Sequence, residues 1–287
     1  MEFLVILIAW VLLHNIELPA RLQYDEWLVA WRLRAREALG GLPDAARLLL
    51  ICGLPCLLIA ALEWLLAPHW AGIPLFVLEL AVLLYSLGRG DLRAQLNAYL
   101  ACWQRGDYEA AYQEAARAFN LDTQLPLAST SELHAQVRRG ILYLAFERWF
   151  AVVFWFYFLG PWAALFYRML HLTLAQNSSD SERLLIREWL QWIEWLPARI
   201  LGLAFAVTGN FVSCFSAWRE HLAGFIPIPY LLVAYVERAL IGMVADPEAD
   251  GVYFPERAAT ELHELDALIA RSAIAWLVMF ALLQMLR

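Results

Sequence analysis

The most constraining stretch runs from Arg138 to Gln176, where a long apolar helical pattern carries Glu147-Arg148, breaks at Gly160-Pro161 and resumes with Arg168 and His171. An ionised side chain at bilayer depth costs roughly 2.5 to 3.5 kcal/mol on insertion scales, so Glu147, Arg148 and Arg168 must face protein or water and be paired. A chain built around such a run is a membrane protein with a polar centre.

The rest of the sequence agrees. It has 62% apolar residues and 14 Trp, with a mean hydropathy of +0.55. That is too apolar for an ordinary soluble domain, whereas 17% charged residues are too many for a bare bundle of spans. All 21 Lys+Arg are arginine, which excludes a Schiff-base lysine and any phosphate loop ending in G-K-[ST]. The net charge of -7 argues against a nucleic-acid partner. Cys52, Cys56, Cys102 and Cys214 lack C-x-x-C spacing and read as packing residues.

The expected architecture is an all-α polytopic membrane protein. It has about four to six membrane helices, interfacial amphipathic helices and a cytoplasmic helical hairpin. Residues 1–88 form an N-terminal membrane part, 89–138 a cytoplasmic helical segment, and 139–287 a core with the broken central helix and a C-terminal span. The apolar run from Phe3 to about Leu18 reaches only about 24 Å, so it is either a marginal span or a half-inserted helix. It lacks a basic n-region and a cleavage site, so it does not read as a removed signal peptide.

Trp27 and Trp31, four apart among Arg32, Arg34 and Arg36, suit a helix lying at the interface with its aromatics toward lipid. Leu48 to Ala67 and Ile73 to Leu87 read as a hairpin of spans that carry Glu63 and Glu79. Gly106-Asp107 separates two helical patterns of the soluble segment, whose alanines resemble half of a tetratricopeptide unit. A single copy reads better as a plain helical hairpin.

Ser129-x-x-Glu132 and Ser179-x-x-Glu182 are capping boxes. Beyond Gly160-Pro161, Trp162 to Leu174 either completes a bent span or returns as a re-entrant piece. Leu185, Trp189, Trp192 and Leu196 form a stripe opposite Arg187, Glu188, Gln191 and Glu194 that suits a membrane or a partner helix. Ile200 to Ala217 is apolar but diluted by Thr208, Asn210 and Ser213, and whether it crosses is open. A last span runs from about Ala267 to Leu286. Arginines flank the first hairpin on one side only, which puts residues 89–140 in the cytoplasm.

No metal site is expected. Asp246-Pro-Glu248-Ala-Asp250-Gly251 opens like a calcium loop, but position twelve is Arg257, so it reads as a polar turn. His263-Glu264 lacks the second histidine of a zinc-protease helix. No catalytic set stands out, and no cofactor is expected.

The blocks Phe146-Glu147-Arg148-Trp149-Phe150-Ala151, Gly160-Pro161, Tyr167-Arg168 and Trp195-Leu196-Pro197-Ala198-Arg199-Ile200 resemble the AmpE inner-membrane proteins. These are regulators of β-lactamase induction, in a superfamily with the CbiB and CobD amide synthases of cobalamin biosynthesis. Where the synthases carry E-N-x-x-D-G, Glu147 is kept, but Arg148 and Ala151 replace asparagine and aspartate. In their later block His171 and Leu174 replace asparagine and aspartate.

The resemblance implies a non-enzymatic regulator in the bacterial inner membrane, multi-pass and linked to cell-wall recycling. The ligand-binding candidates are Glu147, Arg148, Tyr167, Arg168, His171 and Arg199. Arg168 or Arg199 is expected to answer Glu147. Expected partners are membrane lipids, a small-molecule or cell-wall-derived ligand and a protein in the membrane. An amide-forming membrane enzyme and a small transporter stay open as alternatives.

Overall fold

A computed structural model describes residues 2–15, 25–67, 72–88, 90–119, 121, 129–176 and 179–286, and every regular element among them is helical. In chain order these are α1 (Glu2–Asn15), α2 (Glu26–Ala38), α3 (Asp44–Leu66), α4 (Ile73–Ser86), α5 (Leu92–Gln104), α6 (Tyr108–Phe119) and α7 (Thr130–Ala145). After a π-helical turn, Phe146–Phe150, come α8 (Ala151–Leu159), α9 (Pro161–Ala175), α10 (Asp180–Ile193) and α11 (Trp195–Thr208). Then follow α12 (Phe211–Glu220), α13 (Ile228–Ala239), α14 (Pro247–Asp250) and α15 (Phe254–Met285).

The helical runs Asp44–Leu66, Thr130–Leu159 and Pro247–Met285 are long and apolar enough to cross a membrane. Helices α1, α4 and α11 are apolar but shorter. At 14 residues, α4 reaches only about 21 Å. The chain divides into two compact units.

Unit 1 comprises Met1–Arg89, Ala151–Glu194 and Phe280–Arg287, and α9 is its hub. Gly160, at φ 91°, ends α8, and Pro161 opens α9 at a position where a missing N–H is harmless. Helix α9 then folds back along α8 and packs on α3, α4 and α10. Of the two sequence readings, it is the returning piece. Ten of its residues are buried, Arg168 and His171 among them. Helices α3 and α4 both lie on α9 and touch each other much less than the expected hairpin implied.

Pro55 sits inside α3 and cannot donate to the carbonyl of Ile51. The indole N–H of Trp31 does so instead, at 2.9 Å. Trp27 donates to the Tyr85 hydroxyl at 3.1 Å. Both indole N–H groups of α2 therefore bond within unit 1, and its exposed large apolar side chains are Trp27, Val29 and Leu33.

Unit 2 comprises Gly90–Phe150 and Trp195–Met279. Asp91 caps α5, Asp107 accepts the N–H of Ala110 at the start of α6, and Ser129 caps α7. Helices α5 and α6 form the expected hairpin, with Leu96, Tyr99, Trp103, Ala111, Ala115 and Phe119 buried. Gly140 admits the end of α6 against α7: a Cβ there would lie 2.8 Å from the Phe119 carbonyl oxygen.

The segment Ile200 to Ala217 is not one helix. Gly209-Asn210 breaks it, Asn210 donates its N–H to the Ala239 carbonyl and caps α12, and α12 returns against α11 and α13. The Asp246 turn uses its carboxylates locally. Asp246 accepts the N–H of Glu248, while the Asp250 carboxylate accepts the N–H of Asp246 and lies 3.6 Å from Arg257.

Candidate functional site

Of the six residues singled out, Tyr167, Arg168 and His171 lie in unit 1 and Glu147, Arg148 and Arg199 in unit 2. Tyr167 and His171 stand four apart on α9 and so share a face. Their rings meet edge to face with centroids 4.7 Å apart.

Both converge on Glu194, the residue that ends α10. The Tyr167 hydroxyl donates to its Oε1 at 2.8 Å, and His171 Nε2 lies 3.1 Å from the same oxygen. All three side chains are buried, Glu194 at 2% exposure. A carboxylate sharing one oxygen between a phenol and an imidazole can hold or pass a proton, or orient an incoming amide or ammonium. Arg168 is buried one position from Tyr167.

Glu194 is the residue that sequence reasoning missed. It was placed on the solvated side of the α10 stripe, yet the face of α10 turned inward is Glu182, Ile186, Leu190 and Glu194. Leu185 and Trp189 are half-buried, and Trp192 and Leu196 are exposed. The usable signal was the four-residue spacing of Glu182, Ile186, Leu190 and Glu194 on one helix face.

At the other end of α10, Glu182 is fully buried among three guanidiniums. Arg32 Nη2 lies at 3.3 Å, Arg47 Nη2 at 3.0 Å, and Arg36 is also bonded to it. Burial pushes this carboxyl up. The hydrogen bonds from Arg36 and Arg47 and the charges of Arg36 and Arg32 outweigh that and hold it at about 2. Ser179 Oγ accepts the Glu182 N–H, so the capping box is half formed, with the carboxylate diverted to arginine. Arg32 also donates to the Thr173 carbonyl at 3.4 Å and to Gln176 Oε1 at 3.2 Å, which satisfies the C-terminal end of α9.

In unit 2, Glu147 and Arg148 are half-buried on the π turn, an irregularity frequent at functional sites. Arg148 donates to Gln95 Oε1 at 3.3 Å.

Arg199 does not answer Glu147. Its Nε donates to the Leu222 carbonyl at 2.9 Å, its Nη1 to Trp195 at 3.0 Å, and its Nη2 to Gly224 at 2.6 Å and His221 at 3.4 Å. Its guanidinium also lies 4.1 Å above the Trp195 ring. The reason is geometric: the turn that follows α12 brings the carbonyls of His221, Leu222 and Gly224 together, and a rigid five-donor fork beside them satisfies several at once.

A second missed cluster surrounds Glu261, which is fully buried. It takes His134 Nε2 at 2.8 Å, Arg138 Nη1 at 2.8 Å and the Ala245 N–H at 2.9 Å. Arg138 bridges on to Glu237 at 2.7 Å.

Comparison with known proteins places this architecture. The protein AmpE of Shigella flexneri is 24% identical over 239 residues, covering 80% of this chain and 82% of that protein. The cobalamin biosynthesis protein CobD of Chromobacterium violaceum is 28% identical over 173 residues, 56% of this chain and 55% of that protein. No solved structure matches. A family profile described as regulatory signalling modulator protein AmpE matches residues 5–284. The chain therefore belongs to the AmpE family of regulatory signalling modulators.

Proposed function

We propose that this protein is a multi-pass regulator of the bacterial inner membrane that modulates β-lactamase induction in response to cell-wall recycling, by binding a ligand and not by catalysis. The family match over residues 5–284 carries this reading. The buried Tyr167–Glu194–His171 cluster supplies its ligand site, because it sits on the helix around which unit 1 packs. Occupancy there would act directly on the packing of α3, α4, α8 and α10. Residues 89–138 and 176–190 face the cytoplasm and residues 68–72 the outside, in line with the arginine bias.

The test is a chromosomal deletion in the native host, with β-lactamase measured across a range of a cell-wall-active β-lactam. Deletion is expected to alter the induction curve, the wild-type gene to restore it, and a Glu194→Gln gene at equal membrane abundance to fail. Identical curves with and without the gene would sink the proposal. For the topology, a cysteine at position 106 should resist an impermeant thiol reagent in intact cells, and its labelling would reverse the orientation.

The similarity to CobD favours one second reading, a membrane enzyme that forms amides. Nucleotide-dependent joining of an amine and a carboxylic acid by the purified protein would establish it.

A further inference from the structure

A cleft of about 570 Å³ opens in unit 2 beside the α5–α6 turn, within the size range of small-molecule sites. One wall is aromatic. Trp103 and Tyr108 meet edge to face with centroids 5.1 Å apart, and Trp103 is fixed by its indole N–H, which donates to the Pro255 carbonyl at 2.9 Å.

The opposite wall is the start of α15, where Glu256, Thr260 and His263 follow each other at helical spacing on one face. Val252, almost fully exposed, stands at the rim. The polar groups on this wall are acceptors. Glu256 presents an exposed carboxylate. The Thr260 hydroxyl hydrogen is spent on the Glu256 carbonyl, which leaves the oxygen's lone pairs. His263 Nδ1 is held by the Ala259 carbonyl at 2.8 Å, which assigns the proton to Nδ1 and leaves Nε2 as an acceptor.

Nothing cationic competes for them. Among the described lining residues there is no arginine, and the chain has no lysine. The neighbouring Arg257 turns to Asp250 and to the Gly242 carbonyl. A cleft offering a carboxylate, two further acceptors and the Tyr108 ring, with no arginine among its described lining residues, complements an organic cation with an apolar body.

We infer that this cleft binds a small amphipathic amine, with its ammonium at Glu256, Thr260 and His263 and its apolar part against Tyr108 beneath Val252. The inference stands independently of the α9 cluster.

The full chain in detergent, with empty micelles as blank, is titrated near neutral pH with 2-phenylethylamine, the neutral 2-phenylethanol and the anionic 3-phenylpropanoate, and followed by saturation-transfer NMR. The amine alone is expected to bind. Glu256→Gln should weaken it at least about tenfold, Tyr108→Ala should weaken it too, and Glu248→Gln, on α14 outside the cleft, should leave it unchanged. Glu256 is exposed, so its substitution does not threaten folding. Equal binding of the alcohol, absence of amine binding, or indifference to Glu256→Gln would overturn the inference.

Discussion

Replacing Glu182 by glutamine should be among the most damaging isosteric changes available in unit 1. The side chain is fully buried against Arg32, Arg36 and Arg47, and the amide would leave three guanidiniums without their shared charge. Breaking a buried ion pair from one side costs about 3 to 5 kcal/mol. A second route gives a similar figure. The carboxyl falls from 4.5 to about 2 in the folded chain, which corresponds to about 3 kcal/mol of linked stability. The folded value is the depressed one, so this contribution is complete above about pH 4.5 and is lost as pH falls toward 2. All four cysteines are buried and free, so unfolding can be followed with a dye that fluoresces on thiol labelling. At roughly 2 to 4 °C per kcal/mol the Tm should drop by about 6 to 12 °C near neutral pH, and the gap from wild type should close in acid. Arg34→Ala, an exposed change on α2 between Arg32 and Arg36, is the control. If Glu182→Gln melted with the wild type, or if its deficit were as large at pH 3 as at pH 7, the ion cluster would not be stabilising and the reasoning would be wrong.

Gly140→Ala should cost about 1 to 3 kcal/mol by the same assay, because its Cβ would meet backbone at Phe119 that cannot swing aside. Trp31→Phe should cost about 1 to 3 kcal/mol by orphaning the Ile51 carbonyl. That penalty should shrink in a Pro55→Ala background, where the helix regains its own donor, and strict additivity in the double-mutant cycle would refute the pairing. Arg199→Lys should lose about 2 kcal/mol despite keeping the charge, since a point ammonium cannot serve the carbonyls of Trp195, His221, Leu222 and Gly224 together. Limited proteolysis should then cut first near residues 221–226.

What the sequence disclosed was what local chemistry decides. Ser129, Ser179 and Asp107 act at helix starts as their types demand. Gly106 turns the soluble hairpin, and Gly160-Pro161 ends one helix and opens the next. Tyr167 and His171 entered as ligand-binding candidates through the family resemblance, but their meeting point on Glu194 was not legible. Hydrophobic periodicity assigns carboxylates to the outside, so Glu182 and Glu194 vanish into the polar side of α10 although each has a buried partner set far along the chain. Arg199 was read as a counter-charge because it interrupts an apolar run in a block that matches the family. Nothing local reveals that the turn after α12 would present its carbonyls there. Expectations that fall on residues 16–24, 68–71 and 122–128 lie outside the described residues.

The interleaving of the two units sets an order of events during synthesis. Arg32, Arg36 and Arg47 leave the ribosome well before Glu182, which follows Arg32 by 150 positions. Phe280, which stacks on Tyr157 and accepts its hydroxyl through the backbone carbonyl, comes later still. For that interval the three guanidiniums lack the carboxylate they later share, and a bare cation is held back from hydrocarbon far more strongly than a paired one. Charges that end up buried in unit 1 are therefore exposed until the carboxylate they share has been made, and only then can α10 fold over them.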